Sequence, residues 1–121
     1  MPHCLPALLV LLCLTPVVFA DVPPEQRPEV EHLLDFVEHS GCTIHRNGDD
    51  HPATEAREHI LKKYDYFRDR IRSTEDFIEY SASRSALSGR DYTVTCPGKA
   101  TIPTRTWLRK ELQRYRQANR H

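Results

Sequence analysis

Glycine is scarce in this chain. Four glycines among 121 residues form no Gly-rich phosphate loop and no dinucleotide fingerprint, so nucleotide-dependent chemistry has nothing to rest on. Cys-x-x-Cys, His-Glu-x-x-His and Gly-x-Ser-x-Gly are all missing, which removes the recognisable redox, zinc-protease and serine-hydrolase signatures. Net charge is zero and there is no internal repeat. Long hydrophobic runs are missing too, with one exception at the start of the chain.

That run is Leu5 to Phe19, followed by Ala20 and then the polar Asp21-Val22-Pro23-Pro24. Its layout is that of a secretory signal peptide cleaved near Ala20. The preceding Met1-Pro2-His3-Cys4 carries no Lys or Arg, so the α-amine serves alone. The run is shorter than the roughly 20 residues that span a bilayer, and Pro6 and Pro16 break it. A lipoprotein signal would place a small residue before Cys13, where Leu12 stands. The expectation is a mature chain of residues 21–121, periplasmic or secreted, with no transmembrane segment.

The mature length fits a single small domain. Its core is thin, because all 34 charged residues fall after Ala20, and small domains with thin cores usually need a staple. Two cysteines remain, Cys42 and Cys96, and in an oxidising compartment they are expected to pair. The bridge closes about 55 residues, worth roughly 4 kcal/mol in the chain-entropy view. A thiolate nucleophile or a metal pair is the alternative, but neither cysteine sits beside a His.

The zero net charge hides a dipole. Residues 21–60 carry ten acids against three arginines, and residues 84–121 carry nine bases against two acids. Either the two ends pack on each other, or the basic end meets an anionic partner.

Val30, Leu33, Leu34 and Val37 recur at helical spacing after Pro28, with Gly41 as a C-terminal cap. A short strand from Cys42 to Arg46, the hairpin turn Asn47-Gly48 and a return strand to His51 follow. Pro52 opens the longest helix, with Ala53, Ala56, Ile60, Tyr64, Phe67 and Ile71 on its stripe. Ser73 and Asp76 form a capping box for a third helix carrying Phe77, Ile78 and Tyr80. Tyr92, Val94 and Cys96 alternate as a strand, and after Pro103 a last helix places Leu108, Leu112 and Tyr115 on one stripe, with Trp107 beside it. The expected class is α+β: about four helices on a two- or three-stranded antiparallel sheet.

Candidate chemistry is sparse. His32, Asp35 and His39 share one face of the first helix, but over two turns and away from the apolar stripe, which reads as solvated surface. His51, Glu55 and His59 offer a metal or acid–base cluster and define the alternative of a metal-assisted hydrolase; no cofactor is otherwise expected. The segment from Ser83 to Arg90, with Ser83, Arg84, Ser85, Ser88 and Arg90, could grip an anion or could be an ordered connection whose serines satisfy backbone groups. The last helix mixes arginines with Trp107 and Tyr115, as nucleic-acid binders do, yet both aromatics lie on or beside the apolar stripe, so nucleic acid is not an expected partner.

Ile44-His45-Arg46-Asn47-Gly48, then His51, Glu55-Ala56, His59-Ile60 and Lys63-Tyr64-Asp65-Tyr66 form one recognisable block. Ser73 to Glu79, Ala82 to Gly89 and Tyr92-Thr93-Val94 form a second, followed by Trp107-Leu108 and the Arg-rich end. In order and spacing these blocks resemble the YfeK-like family of small exported proteins of Gram-negative bacteria, a domain of unknown function, over about Val30 to Arg116. The resemblance implies export to the periplasm, a single domain and no known catalytic activity, and it supplies no site residues. Asp91 stands where the family pattern has Pro, and Asp50 where it often has an aromatic, which implies a more polar edge here. The leading expectation is a non-enzymatic interaction module for a periplasmic protein or an anionic envelope component. It would bind through the hairpin (Arg46, Asn47, His51) and the Ser/Arg loop (Ser83, Arg84, Ser85, Ser88, Arg90, Tyr92), because ordered loops on rigid scaffolds carry function disproportionately.

Overall fold

The structure is a computed structural model that describes residues 21–120; the signal-peptide expectation lies outside them. A 3₁₀ turn at Pro24–Gln26 leads into α1 (Arg27–Glu38). The strands β1 (Thr43–Arg46) and β2 (Asp49–Pro52) form the expected hairpin. Asn47 and Gly48 both adopt positive φ, 51° and 85°, which two-residue primed turns require. Then come α2 (Ala53–Phe67), α3 (Thr74–Ala82), β3 (Thr93–Thr95), β4 (Ile102–Pro103) and α4 (Thr104–Ala118).

The sheet order is β2-β1-β3-β4, with every pair antiparallel. It has one strand more than the sequence suggests. β4 is two residues long and ends in Pro103, too short to show alternation, and it is held by pairing Ile102 with Val94. Ile44 and Val94 face the helices and are buried, as are Val30, Leu33, Leu34 and Val37 of α1 and Leu108 and Leu112 of α4. Phe77 and Ile78 of α3 lie at the centre. The other sheet face is polar: His45 bridges Asp50 and Thr95 at 2.5 and 2.8 Å.

Two details differ from the periodic reading. α2 ends at Phe67, and a 3₁₀ turn at Arg68–Arg70 follows; Ile71 is wholly buried from extended backbone beyond that turn rather than from the helix stripe. At the start of α3, Ser73 Oγ accepts the Asp76 N–H at 3.0 Å, but the Asp76 carboxylate reaches back to Arg72 N–H rather than to Ser73.

The Cys42–Cys96 disulfide is formed. Register explains it: Thr43 pairs with Thr95 and Ile44 with Val94, so Cys42 stands opposite Cys96 on the core face, because side chains alternate along a strand.

Acidic and basic halves meet directly between α1 and α4. Arg116 grips Glu29 at 2.6 and 3.0 Å and also reaches Glu75 of α3. His32 is only partly solvated: its ring stacks on Tyr115 with centroids 4.2 Å apart and bonds Glu111 at 3.1 Å. Asp35 instead holds Arg57 of α2 at 2.8 Å, and His39 folds back on the Asp35 carbonyl.

The Arg116 guanidinium holds the Glu29 and Glu75 carboxyls below the usual carboxylate range. Their contribution to stability is therefore present above the ordinary carboxylate pKa and is lost as pH falls through the lowered folded values. Glu29 is only 13% exposed beneath Arg116, so Arg116→Ala removes its charge partner and leaves it the Thr74 hydroxyl and water. The expected loss is about 1–3 kcal/mol in urea unfolding at neutral pH, shrinking toward zero in acid. An equal loss at both pH values would show that the ion pair is not the source.

Candidate functional site

The β1–β3 register that aligns the cysteines also places Arg46, at the end of β1, opposite Tyr92, just before β3. Both point to the helix side of the sheet. Facing them from α2 are His59 and Lys63, one turn apart. The Tyr92 side chain is buried, and its hydroxyl lies 3.3 Å from both His59 Nε2 and Lys63 Nζ. Lys63 also sits over the Tyr92 ring, 4.7 Å from its centroid, and donates to the Arg84 carbonyl.

Burial pushes the His59 pKa down to about 4, helped by Arg46 and Lys63. Burial likewise lowers Lys63 to about 8, with Arg46 and Arg84 adding repulsion. The Tyr92 phenol is raised by burial, while the neighbouring Arg46 opposes that shift. At neutral pH the hydrogen bonds therefore run one way: Lys63 donates to the phenol oxygen, and the phenol donates to the neutral His59 ring. No carboxylate pairs with Arg46, His59 or Lys63 among the described residues. The buried Nε of Arg46 has no partner. An enclosed space of about 10 Å³ beside Arg46, His59 and Tyr92 is too small for anything larger than water.

On its outer side Lys63 opens into a groove of about 750 Å³ between α2, α3 and the loop after α3. The loop itself is braced. Ser83 is fully buried and donates to the Ile78 carbonyl at 2.7 Å, so it has no surface to offer a ligand. Ser85 is buried and accepts from the backbone N–H groups of Leu87 and Ser88. Asn47 ties the hairpin to this loop, donating to Ser85 Oγ at 3.3 Å and accepting from Ser88 Oγ at 2.9 Å. Arg84 pairs with Glu79, and Arg90 is exposed.

Of the residues singled out in the sequence, Arg46, Arg84 and Tyr92 therefore converge; Asn47, Ser83, Ser85 and Ser88 support; His51 lies near His59 without joining the Tyr92 contacts, and Arg90 is exposed. His51 meets Glu55 at 3.4 Å, but His59 turns to Tyr92 instead. Among the described residues no three His, Cys, Asp or Glu side chains gather to hold a metal, so the hydrolase set is not assembled. Lys63 was missed. Its spacing of four from His59 was the available signal, obscured by the neighbouring Lys62 in a helix that reads as solvated charge.

A family model described as a family of unknown function, DUF5329, matches residues 24–116. The chain belongs to this family. It is 34% identical over 85 residues to the uncharacterized protein YfeK of Salmonella typhimurium, covering 69% of this chain and 71% of that protein. No solved structure matches it. The DUF5329 match spans all the elements just described, from the 3₁₀ turn into α4. Asp50 is paired with His45, and Asp91 with Arg105 at 2.6 Å. No helix among the described residues is long and apolar enough to cross a membrane.

Proposed function

We propose that this DUF5329 protein is a non-enzymatic binding module, exported to the periplasm through its leader, whose site takes an anionic group on a protein or an envelope component. One observation carries the reading: Arg46, His59 and Lys63 converge on the Tyr92 hydroxyl with no carboxylate to balance them. Arg46 and Lys63 are cations without counter-charge beside a neutral His59, which desolvation disfavours, and an anion held at Lys63 from the groove side relieves that. Lys63 has three N–H donors, two of them engaged, so one remains for a ligand oxygen.

Sulfate is a suitable probe because its charge is constant across the range in which these groups titrate. Sulfate at fixed ionic strength is expected to bind best at low pH and to weaken as pH rises through about 8, where Lys63 loses its proton. By linkage, bound sulfate favours the charged forms, so the His59 and Lys63 pKa values rise when it binds. Lys63→Gln should weaken binding about tenfold, the worth of one charge-assisted hydrogen bond. Ring and side-chain NMR signals of His59 and Lys63 that ignore sulfate would overturn the reading.

A further inference from the structure

We propose that the groove beside Lys63 binds the free C-terminal carboxylate of an extended peptide whose last side chain is large and apolar. This rests on the anion-site reading and names its ligand. Lys63 bonds the Tyr92 hydroxyl and also lines the groove, so its ammonium group is part of the groove wall. Its sides carry aromatic rings among charged groups. Phe67 and Tyr80 lie with ring centroids 5.8 Å apart, and Tyr66 meets Phe67 edge-on at 4.8 Å. Two apolar side chains stand unusually far out along it: Tyr66 is 81% exposed and Leu87 is fully exposed at the tip of the braced loop. The loop is held by Ser85 and by its ties to Asn47, so Leu87 is presented on a fixed support.

A lysine with a free N–H donor, aromatic rings and exposed apolar side chains in one groove match a carboxylate followed by an apolar side chain. The volume of about 750 Å³ falls within the range of pockets that enclose drug-sized ligands, which suits a few residues of extended chain. An acyl chain fits less well. The walls also carry Asp69, Arg70 and the paired Arg84 and Glu79, charged groups that suit a polar peptide backbone and not a hydrocarbon tail. Capture of a terminal carboxylate is an established mode of peptide recognition.

The test titrates the full mature protein with four probes: sulfate, a short peptide ending in Ala-Phe with a free carboxylate, the same peptide amidated, and decanoate. The free peptide is expected to compete with sulfate and to bind at least about tenfold more tightly than its amide, the difference one charge-assisted contact makes. Leu87→Ser and Tyr66→Ser, both at exposed positions that leave the core intact, should weaken the peptide several-fold and leave sulfate unchanged. Lys63→Gln should weaken both. Sulfate binding with equal affinity for acid and amide peptides would overturn the peptide assignment and leave the anion site standing. Decanoate binding more tightly than the peptide would overturn it in favour of an acyl anion. Peptide binding indifferent to Leu87→Ser and Tyr66→Ser would overturn the groove. Loss of sulfate and peptide binding alike would remove the anion site itself.

Discussion

Reduction of the Cys42–Cys96 bridge, or its replacement by Cys42→Ser with Cys96→Ser, is expected to lower the unfolding free energy by about 4 kcal/mol. The origin is the unfolded chain. Joining residues 54 apart removes loop-closure freedom that the reduced chain regains, and for a loop of this size the entropic account gives roughly that value. Small domains have only about 5–15 kcal/mol in total, so the reduced protein should unfold at a much lower guanidinium midpoint. The bond also joins the two strands that carry the site. Cys42 and Arg46 share one face of β1 and its approach, and Cys96 and Tyr92 share one face of β3 and its flanks. Reduction should therefore weaken sulfate binding even where the fold survives. Guanidinium unfolding with and without reductant measures the first effect, and an unchanged midpoint would show that the bridge does not stabilise the fold.

Phe77→Ala is expected to cost about 3–5 kcal/mol, the range for truncating a buried aromatic. Phe77 is 1% exposed, and its ring lies 5.2 Å from that of Tyr64 on α2. Its loss leaves a cavity between α2 and α3, the two helices that frame the Lys63 groove. Urea unfolding should show a lower midpoint with an unchanged slope, because the same surface is exposed on unfolding. A loss below about 1 kcal/mol would mean that this contact is not part of a close-packed core. A surface change such as Leu87→Ser should leave the midpoint within about 0.5 kcal/mol of the parent.

Elements with a repeating apolar face were legible from residues alone. Val30, Leu33, Leu34 and Val37 announce α1, and Asn47-Gly48 announces the hairpin, because these patterns act locally. β4 was not, since a two-residue strand ending in proline has no pattern and exists only because Val94 offers it a partner. The periodic spacing puts Ile71 on the core as part of the helix stripe, whereas the chain reaches that position through a 3₁₀ turn beyond α2. In the site, Arg46 and Tyr92 were legible as polar or aromatic groups in irregular segments. Their meeting was not, because it depends on a strand register that the Asn47 turn alone does not set. His59 can face Glu55 or Lys63 with equal ease on one helix face. Glu55 is mostly exposed, and the burial of Tyr92 beside Lys63 decides between them.

The two outermost strands have a further consequence. An uncovered strand edge is an invitation to pair with another chain, and proteins blunt such edges with charge, proline and brevity. Here β2 reads Asp49-Asp50-His51-Pro52 and β4 is Ile102–Pro103. Each rim ends in a residue with no N–H to donate, and one adds two adjacent carboxylates. Edge-to-edge pairing into fibres or strand-swapped dimers is thereby disfavoured at both margins, which protects the folded chain against sticking to its own copies.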